Sequence, residues 1–227
     1  MIIKGIQKLT LLDYPQKVAC TLFTAGCNFR CPFCHNASLV KGDDGAVLNE
    51  TEVLKYLKLR QGILDAVCIT GGEPTLQSDL KEFILKVKEL GYCVKLDTNG
   101  YKPEVLKELV NEGLLDYVAM DIKNSKEGYA RTAGLQNIDI NKIEESVDFL
   151  MQGNVDYEFR TTVVEELHSE SDIFAIAEWL KNAKKYYLQS FKDSGDILGG
   201  TFTPCSGAKM EHFLKILIKN IPQTEIR

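Results

Sequence analysis

Residues 66–98 read AVCITGGEPTLQSDLKEFILKVKELGYCVKLDT, and this stretch decides the fold. Ala66–Thr70 is a short apolar, β-branched run, as a buried strand requires. Asp79–Leu90 then places Leu80, Phe83, Ile84 and Val87 on one helical face. Gly91 stands where a helix ends, because a left-handed residue there costs glycine little. Tyr92–Thr98 is a second strand. Two strands bridged by a helix, with no hairpin turn between them, pair in parallel.

The same alternation extends in both directions. Strands are expected at Val18–Thr24, Tyr117–Ile122, Asp156–Val164 and Tyr186–Ser190. Helices are expected at Glu52–Leu59, Pro103–Asn111, Ile143–Met151, Asp172–Lys181 and Lys209–Lys219. Asn49 and Glu52 have capping-box spacing, Pro103 suits a first helical turn, and Asn141 is placed to cap against Glu144. Six strands in βα alternation predict an α/β fold with a parallel sheet and helices outside it. Six units are too few for a closed eightfold barrel. Periodicity therefore leaves a partial (βα)6 TIM-like barrel or an open doubly wound sheet, in one domain spanning residues 1–227.

The polar motifs fall just after strands. Gly71-Gly72-Glu73-Pro74 follows Ala66–Thr70, Thr98-Asn99-Gly100 ends the next strand, and Asp121 and Lys123 end the one after. In parallel α/β folds the carboxyl ends of the strands form the active-site face, so one mouth collects these groups. Composition narrows the rest. With 27 basic against 32 acidic residues the formal charge is −5, which argues against a general nucleic-acid binder. No run of apolar residues is long enough to span a membrane, and the N-terminus lacks a signal-peptide pattern, so a cytoplasmic protein is expected. Seven cysteines, an odd number without a leader, argue against a disulfide framework. Cys20, Cys68 and Cys93 sit in strand-like runs and read as small buried hydrophobes. Cys205, in a turn, stays open, and His168 and His212 read as ordinary surface or helix residues.

Cys27, Cys31 and Cys34 crowd into CNFRCPFC, just after the first predicted strand. Three thiolates this close can wrap a compact metal centre, and thiolates are the usual ligands of iron–sulfur cubanes. Three rather than four leave one iron open to an outside ligand, the logic that separates catalytic from structural metal sites. Three plainer readings compete, the simplest being coincidental reduced cysteines. Zinc bound by these cysteines and His35 would have to wrap adjacent residues onto one small ion. A Cys31-Pro-Phe-Cys34 dithiol would have no use for Cys27.

The Cys-x3-Cys-x2-Cys pattern, with Phe33 before its last cysteine, resembles the signature of the radical S-adenosylmethionine superfamily. The resemblance implies a [4Fe–4S] cluster on Cys27, Cys31 and Cys34, with S-adenosylmethionine chelating the open iron. One electron would split its sulfonium, and the resulting 5′-deoxyadenosyl radical would abstract a hydrogen atom. Phe33 and the His35 backbone would lie beside the adenine, and Gly71, Gly72, Glu73 and Pro74 would receive the amino group. Asp97-Thr98-Asn99-Gly100 and Asp121-Ile122-Lys123 resemble stretches of glycyl-radical-enzyme activases. There Asp97, Thr98 and Asp121 would place a monovalent cation, while Lys123 and Arg160 would contact the cosubstrate.

Lys4–Leu9, Asp13-Tyr14-Pro15, Cys20–Phe23 and Leu188–Phe191 are similar to activating proteins of anaerobic ribonucleoside-triphosphate reductase. That resemblance implies a glycyl-radical enzyme as partner and a flavodoxin or ferredoxin as electron donor, while charge and hydropathy lead to the expectation of no nucleic acid and no membrane. It fades after about Gly195, and Phe191-Lys192 stand where pyruvate formate-lyase activases carry a histidine. No cysteine-rich insert separates Cys34 from Gly71, which disfavours activases with extra clusters. The rival readings are a radical enzyme acting on a small molecule, such as one forming a deazapurine, and a non-catalytic iron–sulfur redox protein.

Overall fold

The computed structural model describes residues 1–41, 46–193 and 195–227. Its strands are β1 (Ile3–Thr10), β2 (Ala19–Thr24), β3 (Ala66–Gly71), β4 (Cys93–Thr98), β5 (Tyr117–Asp121), β6 (Asp156–Val163), β7 (Tyr186–Ser190) and β8 (Thr224–Ile226). The helices are α1 (Ala37–Lys41), α2 (Glu50–Leu59), α3 (Leu80–Glu89), α4 (Pro103–Asn111), α5 (Tyr129–Thr132), α6 (Ile140–Met151), α7 (Glu170–Trp179) and α8 (Gly207–Leu217). The sheet runs β1 to β8 in chain order, antiparallel between β1 and β2 and parallel from β2 onward. It is an open, mostly parallel sheet, the architecture of a partial TIM-like barrel.

All six expected strands are present as β2–β7. Two more were not expected. β1 reads IKGIQKLT, whose burial does not alternate, and β8 is only three residues long. α4 has the expected bounds, and the other expected helices start one to three residues away from where the sequence placed them. Asn49 does cap α2, but its side chain takes the Thr51 N–H at 2.8 Å. Asn141 lies inside α6, which begins behind Asp139. Gly91 takes φ +85°, and its N–H closes α3 on the Lys88 carbonyl, as expected.

Strand alternation divides the molecule into two environments. Outward residues such as Leu22, Ile69, Leu96, Val118 and Phe159 pack against the buried faces of the helices. Leu80, Phe83, Ile84 and Val87 of α3 are at most 1% exposed, each contributing roughly 1.5–3 kcal/mol by leaving water. Most inward residues are small or polar, Phe23 of β2 being a large apolar exception. Ala19, Ala66, Cys68 and Tyr117 close the floor with Tyr14. Above that floor, Thr21, Thr70, Asp97, Asp121, Arg160 and Gln189 line a cavity at the carboxyl ends of the strands. Cys20 and Cys68 are buried as expected, while Cys93 is half-buried against the floor cluster.

Candidate active site

The cysteine loop leaves β2 through Gly26, whose φ of +83° turns the chain and whose N–H bonds the Leu39 carbonyl at 2.8 Å. The loop is then pinned from outside. Arg30 N–H donates to the Ala133 carbonyl at 2.9 Å, and a Cβ on neighbouring Gly134 would sit 2.0 Å from the Arg30 oxygen. Leu198 and Gly199 donate their N–H groups to the Cys34 and Pro32 carbonyls, at 3.2 and 3.0 Å. The C-terminal segment, where the sequence resemblance fades, therefore clamps the cysteine loop.

Cys27 Sγ accepts the Phe29 N–H at 3.4 Å. Burial pushes the Cys27 thiol up to about 12, with Glu73 adding to it, and burial pushes Cys31 up to about 11. Such thiols lose their protons only against strong positive charge, which bound metal supplies. Among the described residues no three His, Cys, Asp or Glu side chains converge to hold a single metal ion. Three thiols on one short loop are the kind of donor set that an iron–sulfur cluster takes.

The glycine loop explains itself through backbone contacts. Gly72 N–H donates to the Thr24 carbonyl at 2.9 Å and Glu73 N–H to the Gly26 carbonyl at 2.8 Å. A Cβ on Gly71 would lie 2.3 Å from Thr24 N, and one on Gly72 only 1.9 Å from the Gly26 oxygen. The close approach that demands glycine is thus to the chain leading into Cys27. Glu73 is 1% exposed, and its carboxylate accepts from Thr75 N (3.1 Å), Thr75 Oγ1 (2.6 Å), Thr98 Oγ1 (2.7 Å) and Asn99 N (2.7 Å). Burial pushes its carboxyl up against those bonds. Pro74 begins a 3-10 turn behind it, capped by Glu73.

Charged residues cross β4, β5 and β6 as a ladder. Lys95 bonds Asp97 Oδ1; Arg160 Nη1 lies 3.1 Å from Asp97 Oδ2 and Arg160 Nε 2.9 Å from Asp121 Oδ1; Lys123 Nζ lies 3.2 Å from Asp121 Oδ2. For Asp121, burial acts upward, but Arg160 and then Lys123 overcome it and hold the carboxyl at about 2. For Asp97, burial is likewise outweighed by Arg160 and Lys95, and the carboxyl lies below the usual range.

Every site residue expected from sequence lines one cavity of about 300 Å³ except Pro74, which sits behind its wall. Phe33 is buried, edge-on to His168, Phe191 and Phe202 at 6.2–6.5 Å between ring centres. His35 is exposed at the rim, and Asn99 Nδ2 reaches Asn28 Oδ1 at 2.8 Å. Gln7, Asp13, Thr21, Thr162 and Gln189 also line the cavity and were not anticipated. For Thr21, Thr162 and Gln189 the signal was the inward phase of their strands, whereas Asp13 lies in the segment between β1 and β2 and carries no such phase.

His168 corrects the sequence reading most clearly, being 1% exposed rather than on the surface. Its Nδ1 accepts the Val164 N–H at 3.1 Å, which assigns the proton to Nε2, and Nε2 donates to the Lys123 carbonyl at 2.9 Å. Burial lowers its pKa and keeps it neutral. His212 lies exposed on α8, paired with Glu170 at 3.1 Å, as a surface residue should. Cys205 is buried.

Among the described residues no helix is long and apolar enough to cross a membrane. Residues 21–180 match the model of the Radical SAM superfamily. A Methanocaldococcus jannaschii protein named as a candidate glycyl-radical enzyme activating enzyme is 37% identical over 201 residues, covering 86% of this chain and 82% of its own length. A domain of the pyruvate-formate lyase-activating enzyme from Bacteroides vulgatus shares the fold at TM-score 0.58 and 17% identity, over 71% of this chain and 98% of that domain. Streptococcus suis SuiB bound to S-adenosylmethionine does so at TM-score 0.69 and 13% identity, over 90% of this chain and 48% of SuiB. With the family model spanning more than half of the sequence and the three cysteines inside the matched region, the chain belongs to the radical SAM superfamily.

Proposed function

We propose that this enzyme is a glycyl-radical-enzyme activase. Cys27, Cys31 and Cys34 would hold a [4Fe–4S] cluster, and S-adenosylmethionine would bind in the cavity above β3–β6. The observation that carries the reading is the sharing of one cavity by the three-cysteine loop, the Gly71–Glu73 wall and the Lys123 and Arg160 cations. The cavity's size is at the lower end of that typical for small-molecule sites. When bound, the cluster supplies the electron that splits the sulfonium of S-adenosylmethionine.

The protein's own residues do the positioning. Lys123 and Arg160 present positive charge where a carboxylate would lie, and Phe33 offers a buried aromatic edge beside the loop. Gln7 on β1 and Gln189 on β7 reach the cavity from the two sides of the open sheet. A partner's glycine-bearing segment would enter the cavity between these two residues. The partner would be anaerobic ribonucleoside-triphosphate reductase, and a flavodoxin or ferredoxin would deliver the electron. The similar M. jannaschii protein supports the activase over a radical enzyme acting on a small molecule.

The test is anaerobic incubation of the reconstituted protein with reductant, S-adenosylmethionine and that reductase. A glycyl-radical signal requiring both proteins is expected. Deoxyadenosine formed with no partner-dependent radical would overturn the activase reading.

A further inference from the structure

The family resemblance leads one to expect a loose monovalent cation among Asp97, Thr98 and Asp121. The side chains do not fit one. All four carboxylate oxygens of Asp97 and Asp121 bond to Lys95, Arg160 or Lys123, and the Thr98 hydroxyl is spent on Glu73. Three fixed cations already face two carboxylates. A further cation among them would meet like charge from Lys95, Arg160 and Lys123 beside carboxylates that these groups already neutralise.

Lys95 is the unusual member. Its strand position pairs with Cys68 of β3 and Tyr117 of β5, deep in the barrel, and its side chain is only 2% exposed. It shares a strand face with Asp97 two residues on, so its stem rises from the floor to place Nζ under that carboxylate. The ammonium of lysine is a compact point charge with three donors, close in character to a small monovalent ion. The surplus positive charge of the ladder remains available to an incoming carboxylate through Lys123 and Arg160, which line the cavity.

We propose that the Lys95 ammonium is a tethered replacement for the exchangeable monovalent cation: it neutralises Asp97 from below, fixes Asp97 against Arg160, and frees this enzyme from any need for potassium or sodium. Lys95 is therefore a positioning residue that acts through Asp97 and Arg160. The part that concerns cosubstrate rests on the proposed function above; the part that concerns the cation does not.

The experiment compares potassium, sodium and choline chlorides at equal ionic strength. In the cluster-free wild-type protein, Tm is expected to be the same in all three. In Lys95→Met, Tm falls in choline and recovers in potassium or sodium, because a ligand bound only to the folded state stabilises it by mass action. A second reading is S-adenosylmethionine affinity after reconstitution. It stays within about twofold across the salts for wild type, and for Lys95→Met it weakens by about tenfold in choline with restoration by potassium or sodium.

Stabilisation of the wild type by potassium or sodium overturns the proposal, and so does a folded Lys95→Met indifferent to the cation. If Lys95→Met does not fold, the wild-type comparison decides alone. A wild type that binds no S-adenosylmethionine in any salt defeats the functional reading but leaves the cluster-free Tm comparison intact.

Discussion

The Glu73 carboxylate accepts the backbone N–H of Asn99 at 2.7 Å, tying the loop after β3 to the loop after β4. The same group takes the Thr98 hydroxyl and both donors of Thr75, so one buried anion organises two of the motifs that line the cavity. Replacement by Ala strands four buried donors. Glu73→Ala is expected to lose about 3–5 kcal/mol, a fall in Tm of roughly 10 °C or more, read by urea and thermal denaturation. Glu73→Gln turns an amide N–H₂ toward one of these donors and loses about 1–3 kcal/mol.

Glycine substitutions separate crowding from turn strain. A Cβ at Gly72 collides with the Gly26 carbonyl, whereas one at Gly91 meets nothing within 4 Å and suffers only its positive φ. Gly72→Ala must displace the chain entering Cys27, so iron incorporation should fall severalfold. Gly91→Ala should cost about 1 kcal/mol and leave incorporation unchanged. Wild-type iron content in Gly72→Ala would show that the glycine does not support the cysteine loop.

His168 predicts a pH dependence of stability. Its folded pKa lies below the unfolded value of about 6.5, so the unfolded chain binds more protons near that pH. Its stabilising contribution is complete above about pH 7 and is lost progressively as pH falls through the unfolded value of about 6.5. His168→Gln should flatten that part of the profile. The variant also weakens the supports of the Lys123 carbonyl and the Val164 N–H, at about 1–3 kcal/mol near neutrality.

Asp121 acts in a lower window. Its folded pKa of about 2 is below the unfolded reference of 3.8, so its contribution is present above about pH 4 and disappears as pH falls through 3.8 toward 2. The side chain is nearly a third exposed, and screening reduces the effect to about 1–2 kcal/mol. Asp121→Asn should unfold with a shallower acid dependence between pH 4 and 2. An unchanged slope would mean that Arg160 and Lys123 do not hold the carboxylate in solution.

The strands β2–β7 were legible because each is a short run rich in β-branched, aromatic or other apolar residues between helical segments, even where, as in β6, charged residues alternate with them. β1 was not, since Gly5, Gln7 and Lys8 break its alternation, and the three residues of β8 are too few to form a pattern. The site was legible wherever a motif follows a strand directly, as at Gly71–Glu73 and Asp97–Asn99. His168 was not, because its partners are the backbone of Lys123 and Val164, which no side-chain pattern reveals. Lys95 left a signal that went unread: a charge two residues before Asp97 must face the same way on a strand. The grip of Leu198 and Gly199 on the cysteine loop uses main-chain donors, so residue identity carries little trace of it.

Cys27, Cys31 and Cys34 are proposed to hold a cluster open to S-adenosylmethionine. The direct measurement is anaerobic electron paramagnetic resonance of the iron- and sulfide-reconstituted, reduced protein, with and without S-adenosylmethionine. A reduced [4Fe–4S]⁺ signal that changes when S-adenosylmethionine is added and is lost in Cys31→Ala is expected. Uptake of zinc in place of iron, or a cluster signal indifferent to S-adenosylmethionine, would contradict it.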